Sequence, residues 1–174
     1  LGAAVVPLPP RWTDPEAADV LGRAQVRMLL GTPELAARAR AFGVLALGVD
    51  ELRPTDVALP SRDGAGDDGV GDDLSASAIA VVVPTSGTTG APKLAMLTAA
   101  GLVASADATA AALGLGPDDA YWLPLPLHHV GGLGALVRAL RTGAALVLAP
   151  GAGDADAWVR LAANGVTHAS LVPT

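Results

Sequence analysis

Ile79-Ala80-Val81-Val82-Val83-Pro84-Thr85-Ser86-Gly87-Thr88-Thr89-Gly90-Ala91-Pro92-Lys93 decides how this chain is read. Its first half is apolar and β-branched, which predicts a buried strand. Its second half is a loop of glycines, hydroxyls and one lysine. The glycines let backbone N–H groups turn toward an anion without a Cβ in the way. Thr85, Ser86, Thr88 and Thr89 add four hydroxyl donors, and Lys93 adds a compact positive charge. Each charge-assisted bond of this kind contributes roughly 1.5–3 kcal/mol. A strand that empties into such a loop is built to hold phosphate. A flexible Gly/Ser/Thr linker has similar composition, but linkers rarely follow a strand core and end in Pro-Lys. The common P-loop does not fit either. It places four residues between its glycines and the lysine directly after, whereas here only Thr88-Thr89 separate Gly87 from Gly90, and Ala91-Pro92 precede Lys93.

The same stretch resembles the phosphate-binding signature of the adenylate-forming superfamily, which includes acyl-CoA synthetases, luciferases and peptide-synthetase adenylation domains. All fixed positions of the pattern T-S-G-T-T-G-x-P-K are present. Leu94 departs from it, since most members carry glycine after the lysine; this leaves the phosphate ligands intact but removes one point of backbone freedom.

Outward from this loop, strands and helices alternate. Ala3–Leu8 reads as a short strand. Thr13-Asp14-Pro15-Glu16 starts a helix that runs to about Ala24, with a capping side chain, proline and an acid in the first turn. Val26–Leu30 is a strand, Pro33–Phe42 a helix stopped by Gly43, and Val44–Leu47 a strand. Thr98 caps a helix over Ala99–Leu113 that ends at Gly114. Tyr121–Leu125 is a strand and Leu133–Arg141 a helix ended by Gly143. Ala144–Leu148 (strand), Ala155–Ala163 (helix, stopped by Gly165) and Val166–Val172 (strand) complete the order. Alternation at these lengths predicts an α/β fold, layered α/β/α, with a mostly parallel sheet.

Residues 50–77 lose periodicity and fill with Asp, Gly and Pro, which predicts an exposed, flexible acidic connector. The expected organisation is therefore an N-terminal α/β part (1–49), the connector (50–77), and a part carrying the phosphate loop and acyl pocket (78–174). Within the connector, Gly64-Ala65-Gly66-Asp67-Asp68-Gly69 formally fits the dinucleotide fingerprint. It lacks the preceding strand and following helix, and its two aspartates would repel a pyrophosphate.

The chain has 174 residues, half of them hydrophobic, with only five aromatics and abundant alanine, so its core should be close-packed Ala, Val and Leu. A net charge of −6 argues against nucleic acid or an anionic membrane as partner. No run approaches the ~18 apolar residues that span a bilayer, and no signal peptide is recognisable. There is no cysteine, hence no disulfide or thiol chemistry. A cytoplasmic location is expected, and homo-oligomerisation is compatible with the sequence. The chain opens at Leu1 in an apparent strand and closes on another at Thr174, so it is expected to be part of a longer protein. The resemblance implies further nucleotide motifs and a mobile C-terminal domain, absent here, that supply the adenine and ribose contacts and a catalytic lysine.

The second constellation is Pro126-Leu127-His128-His129-Val130-Gly131-Gly132. Adjacent histidines on extended backbone point opposite ways, and the only other histidine is His168, so no metal-ligand set is assigned. A plain polar loop over the sheet is the other reading of the residues alone. The superfamily's corresponding segment is P-L-F-H-x-x-G. By that resemblance His129 lines the acyl pocket near the reacting carboxylate, and His128 replaces the usual phenylalanine, making the wall more polar. Residues 123–132, Val137-Arg138 and 167–174 are most similar to the o-succinylbenzoate–CoA ligases, the acid–thiol ligase family of menaquinone biosynthesis. Some members of that group also lack the glycine after the motif lysine. There Arg138 and Ser170 fall on positions that contact the dicarboxylate substrate. An arginine on an amphipathic helix would otherwise read as a solvated surface residue, and Ser170 alone carries no signal.

The resemblance implies an ATP-dependent acid–CoA ligase using Mg2+ and coenzyme A. A carboxylate attacks the α-phosphorus of ATP, pyrophosphate leaves, and the acyl-adenylate meets the coenzyme A thiol. Thr85, Ser86, Gly87, Thr88, Thr89, Gly90 and Lys93 would cradle the β- and γ-phosphates, with Lys93 and His129 in catalytic roles. His129, Arg138 and Ser170 would hold the acid. A fatty-acid or aryl-acid CoA ligase, or a catalytically incomplete nucleotide-binding fragment, are the alternatives.

Overall fold

The computed structural model describes residues 3–51, 76–85, 92–149 and 155–171. The connector over 52–75 and the loop residues 86–91 lie outside them. Helix α1 is Asp14–Arg23, strand β1 Met28–Gly31, helix α2 Pro33–Arg40 and strand β2 Leu45–Gly48, followed by a short 3-10 turn at Val49–Glu51. Then come β3 (Ile79–Thr85), β4 (Lys93–Thr98), α3 (Ala99–Leu113), β5 (Ala120–Trp122), α4 (Val130–Thr142), β6 (Ala145–Val147), α5 (Ala155–Ala163) and β7 (His168–Ala169). The fold is α/β, and the β1–β2, β5–β6 and β5–β7 pairings are parallel.

The described chain divides into two compact units. One comprises residues 8–51 and 92–94. Its α1 begins with a cap in which the backbone N–H and hydroxyl of Thr13 both donate to the Glu16 carboxylate, at 2.9 and 2.7 Å. Those two bonds hold the Glu16 carboxyl below its ordinary value. Thr32 caps α2 by accepting from the Leu35 N–H. Strands β1 and β2 pair in parallel from Met28↔Leu45 to Gly31↔Gly48. Ala36 and Ala39 of α2 bury against Ala46, with Leu29 packed beside them. With alanine on both sides the helix backbone comes close to the strands, as the composition predicts. Arg38 on α2 is paired with Asp14 at the start of α1.

The other unit comprises residues 3–7, 76–85, 95–149 and 155–171. Here β5 is the central strand of a parallel sheet ordered β6-β5-β7, in register Tyr121↔Leu146, Tyr121↔His168 and Trp122↔Ala169. Tyr121, Leu123, Leu115 and Ala144 form its core with Ala110 of α3 and Ala135 and Ala139 of α4. Arg141 of α4 forks onto Asp107 of α3, both bonds at 3.1 Å.

Several elements differ from the sequence expectation, and β7, expected over Val166–Val172, is a strand only at His168–Ala169 among the described residues. The first strand reduces to a single parallel bridge, Val5↔Val81, although its two hydrogen bonds to β3 are good at 2.8 and 2.9 Å. Lys93–Thr98, unassigned in the sequence, is a strand beside β3. Strand β5 stops at Trp122, because Pro124 and Pro126 have no N–H to donate to a neighbour. Helix α4 starts three residues earlier than expected and takes Gly131 and Gly132 into its first turn. Gly132 permits this: a Cβ there would stand 2.6 Å from the Leu125 carbonyl oxygen and closer still to that of Pro126. Only glycine fits so tight an approach of helix and preceding loop.

Candidate active site

The parallel register of β5 and β7 sets Tyr121 beside His168, and Ser170 follows two residues later. Arg138 reaches the same place from the third turn of α4. Its Nη2 donates to the Tyr121 hydroxyl at 3.0 Å and to Ser170 Oγ at 3.2 Å, and the two hydroxyls are 2.6 Å apart. The guanidinium carbon also lies 5.5 Å from the Tyr121 ring centroid, within cation–π range. Thus Arg138 and Ser170, 32 residues apart in the chain, are brought into contact. Tyr121, which the sequence reading did not single out, joins them.

The charge environment of Arg138 differs from that of four other described arginines. Arg23, Arg38, Arg40 and Arg141 each pair with an aspartate or glutamate. The partners of Arg138 among the described residues are neutral hydroxyls, and its buried Nε–H has no acceptor there. A partly buried cation without a counter-charge favours binding an anion, and a guanidinium favours a carboxylate. Room for the group comes from Gly134, one turn earlier, where a Cβ would stand 3.2 Å from Arg138 Nη1.

His129 is the N-cap residue of α4, exposed, with extended backbone (φ −107°, ψ 143°) and no side-chain capping bond. Its backbone carbonyl accepts from the Leu133 N–H, and its own N–H donates to the Pro126 carbonyl. The imidazole is therefore not used in holding the helix end, a region of positive dipole without an acidic residue in the first turn. The His128 ring lies 4.3 Å from that of His129, tilted by 52°. Burial first, and then the charge of His129, push the His128 imidazole below the ordinary histidine range, so it is neutral at neutral pH. No group of three or more His, Cys, Asp or Glu that could hold a metal occurs among the described residues.

Of the phosphate-loop residues, Thr85 ends β3 and Lys93 opens β4, both exposed. Ser86, Gly87, Thr88, Thr89 and Gly90 lie outside the described residues. The carbonyl of Pro92, directly before Lys93, accepts from Arg23 Nη2 at 2.8 Å, and that guanidinium is itself forked onto Asp19. Arg23 is a second residue the sequence reading passed over, since an i,i+4 Asp–Arg pair reads as ordinary helix surface. No described helix is long and apolar enough to cross a membrane.

Comparison with known proteins places the chain in a family. The whole chain, residues 1–174, matches the family described as AMP-binding enzyme. The 2-succinylbenzoate–CoA ligase of Salmonella typhimurium is 42% identical over 90 residues, 52% of this chain and 19% of that protein. The medium-chain fatty-acid–CoA ligase of Escherichia coli is 32% identical over 152 residues, 76% of this chain and 26% of that protein. The chain thus spans between a fifth and about a quarter of the length of these two relatives. Among solved structures, o-succinylbenzoate CoA synthetase of Bacillus subtilis in complex with its acyl-adenylate intermediate has a TM-score of 0.79 at 26% identity. That likeness covers 98% of this chain and 43% of the other. The Bacillus enzyme in complex with ATP and magnesium gives a TM-score of 0.80 at 25% identity, covering 98% and 34%. With its T-S-G-T-T-G-x-P-K sequence motif, its α/β architecture and a match along its whole length, this chain belongs to the AMP-binding enzyme family of adenylate-forming proteins.

Proposed function

We propose that the protein carrying this chain is an ATP-dependent o-succinylbenzoate–CoA ligase. The observation that carries the reading is Arg138, held by two hydroxyls and facing no carboxylate of the described chain. o-Succinylbenzoate has two carboxylates, one to be activated and one to be recognised, and Arg138 with Ser170 is suited to the second. The similarity to 2-succinylbenzoate–CoA ligases supports the same substrate. His129 takes the wall beside the reacting carboxylate. Thr85 to Gly90 and Lys93 take the β- and γ-phosphates of Mg-ATP, the leaving group.

The chemistry needs little from the side chains beyond position and charge. The carboxylate nucleophile is ionised at neutral pH, so no general base is required. Its oxygen bonds to the α-phosphorus as the bond to pyrophosphate breaks, and charge builds on the leaving phosphates where Lys93 and the loop donors act. Coenzyme A thiol then displaces AMP from the acyl-adenylate.

The longer match to the medium-chain fatty-acid ligase supports a second reading, a monocarboxylic acid substrate. An apolar acyl chain offers no counter-charge to Arg138. The test is ATP–pyrophosphate exchange by the complete gene product with o-succinylbenzoate, with an aryl monocarboxylate and with a medium-chain fatty acid. Exchange strongest on o-succinylbenzoate is expected. Robust exchange on fatty acid with none on o-succinylbenzoate would move the assignment to the second reading.

A further inference from the structure

We propose that Tyr121 is a positioning residue that orients the hydrogens of the Arg138–Ser170 pair, so that the cluster offers donors only and selects an anionic carboxylate over a neutral isostere. The proposal rests on the dicarboxylate reading above and adds to it the device that makes the subsite specific for charge.

Hydrogen counting supplies the argument. A guanidinium carries five N–H donors and accepts nothing. The two hydrogens of Nη2 are taken by the Tyr121 and Ser170 oxygens. Those oxygens lie 2.6 Å apart, so one hydroxyl donates to the other, and one hydroxyl hydrogen is left over. Tyr121 is 1% exposed and sits in an apolar cluster with Leu115, Leu123, Ala135 and Ala139. The leucine and alanine side chains of that cluster offer no acceptor to a phenol hydrogen turned away from Ser170. Leaving a buried donor unmet costs more than the bond itself contributes. Ser170 is only partly buried. The tyrosine hydrogen therefore goes to Ser170 Oγ, and the serine's own hydrogen is the one directed outward. Beside it stand the remaining Nη1 hydrogens of Arg138, whose Nε–H is buried and has no partner among the described residues. Every group so presented is a donor, which suits a carboxylate and leaves the N–H of an amide without an acceptor.

The tyrosine is braced for this task. Its ring stacks on His168, with centroids 6.2 Å apart and planes 13° from parallel. His168 is fixed at both nitrogens: Nε2 lies 3.2 Å from the Leu113 carbonyl and so carries a hydrogen, while Nδ1 lies 2.8 Å from the Thr167 hydroxyl. The ring face below the guanidinium adds attraction without adding an acceptor that competes for its remaining hydrogens.

The experiment measures kcat/KM of the complete gene product for o-succinylbenzoate and for its monoamide at the second carboxylate, in wild type, Tyr121→Phe and Ser170→Ala. Wild type should prefer the dicarboxylate. Tyr121→Phe keeps the ring and removes one hydroxyl, and should lower that preference about tenfold, the size expected for losing a bond to a charged group. KM for ATP should stay unchanged. Ser170→Ala leaves the buried ring untouched and should lower the preference comparably, with the double variant losing less than the product of the two single effects. An unchanged preference in Tyr121→Phe, or equal losses on both acids, would overturn the proposal, as would strict multiplicativity of the two variants. A wild type that ignores o-succinylbenzoate would instead overturn the substrate reading on which it rests.

Discussion

Replacing Arg138 with alanine is the most direct perturbation of the proposed substrate site. The guanidinium is partly buried and touches Tyr121 and Ser170, which bond to each other at 2.6 Å and can keep doing so without it. The folded state therefore loses two bonds but no counter-charge, and thermal stability should fall only slightly. The second carboxylate of o-succinylbenzoate loses its cation. Truncating one partner of a desolvated charge pair costs roughly 2–5 kcal/mol. Arg138 is only partly buried, so the lower part of that range applies, about 2–3 kcal/mol. At 1.36 kcal/mol per decade this is roughly 30- to 150-fold in kcat/KM. The loss should appear in steady-state CoA-ligation kinetics on the dicarboxylate and be several-fold smaller on an aryl monocarboxylate. Arg138→Lys should recover only part of the activity, because an ammonium cannot make the planar fork. Equal losses on both acids would refute the reasoning and make Arg138 a structural residue.

Other perturbations separate the remaining parts of the site. Lys93→Ala and Thr85→Ala should depress ATP–pyrophosphate exchange by at least about tenfold, with little change in binding of the acid measured by calorimetry, because their contacts strengthen as charge builds on the leaving phosphates. Gly132→Ala should lower stability by roughly 1–3 kcal/mol in thermal or denaturant unfolding, since the added Cβ meets two backbone carbonyl oxygens that cannot swing aside. The His128 imidazole should titrate below its ordinary 6.5 by NMR, and His129→Ala should raise it part of the way by removing the second cause. The sign follows from the direction: a histidine lowered by folding binds fewer protons when native. Its contribution is therefore fully present above the unfolded value and is lost as pH falls through the ordinary histidine range toward the lowered one.

Local rules carried far into this fold. Thr13, Thr32 and Thr98 mark the starts of α1, α2 and α3, and Gly114 and Gly143 stop α3 and α4 in the left-handed conformation at φ 66° and 76°. Such signals act within one helical turn, so they are readable without knowing what lies opposite. The strand before the glycine-rich loop was legible for a similar reason, as an apolar run rich in β-branched residues in β3. Strand β4 was not legible, because Lys93-Leu94-Ala95-Met96-Leu97-Thr98 has little β-branching and is made a strand by its neighbour β3. The early start of α4 was hidden as well: two glycines argue against a helix locally, and the approach of Gly132 to the Leu125 and Pro126 carbonyls reverses that preference. The site shows the same division. Arg138 and Ser170 could be named only through the family resemblance, and Tyr121 lies 17 residues from one and 49 from the other. No periodicity links such distant positions. The pairing of β5 with β7 and the packing of α4 over β5 bring them within hydrogen-bond range, because parallel strands meet only after a crossover removes them from each other in sequence.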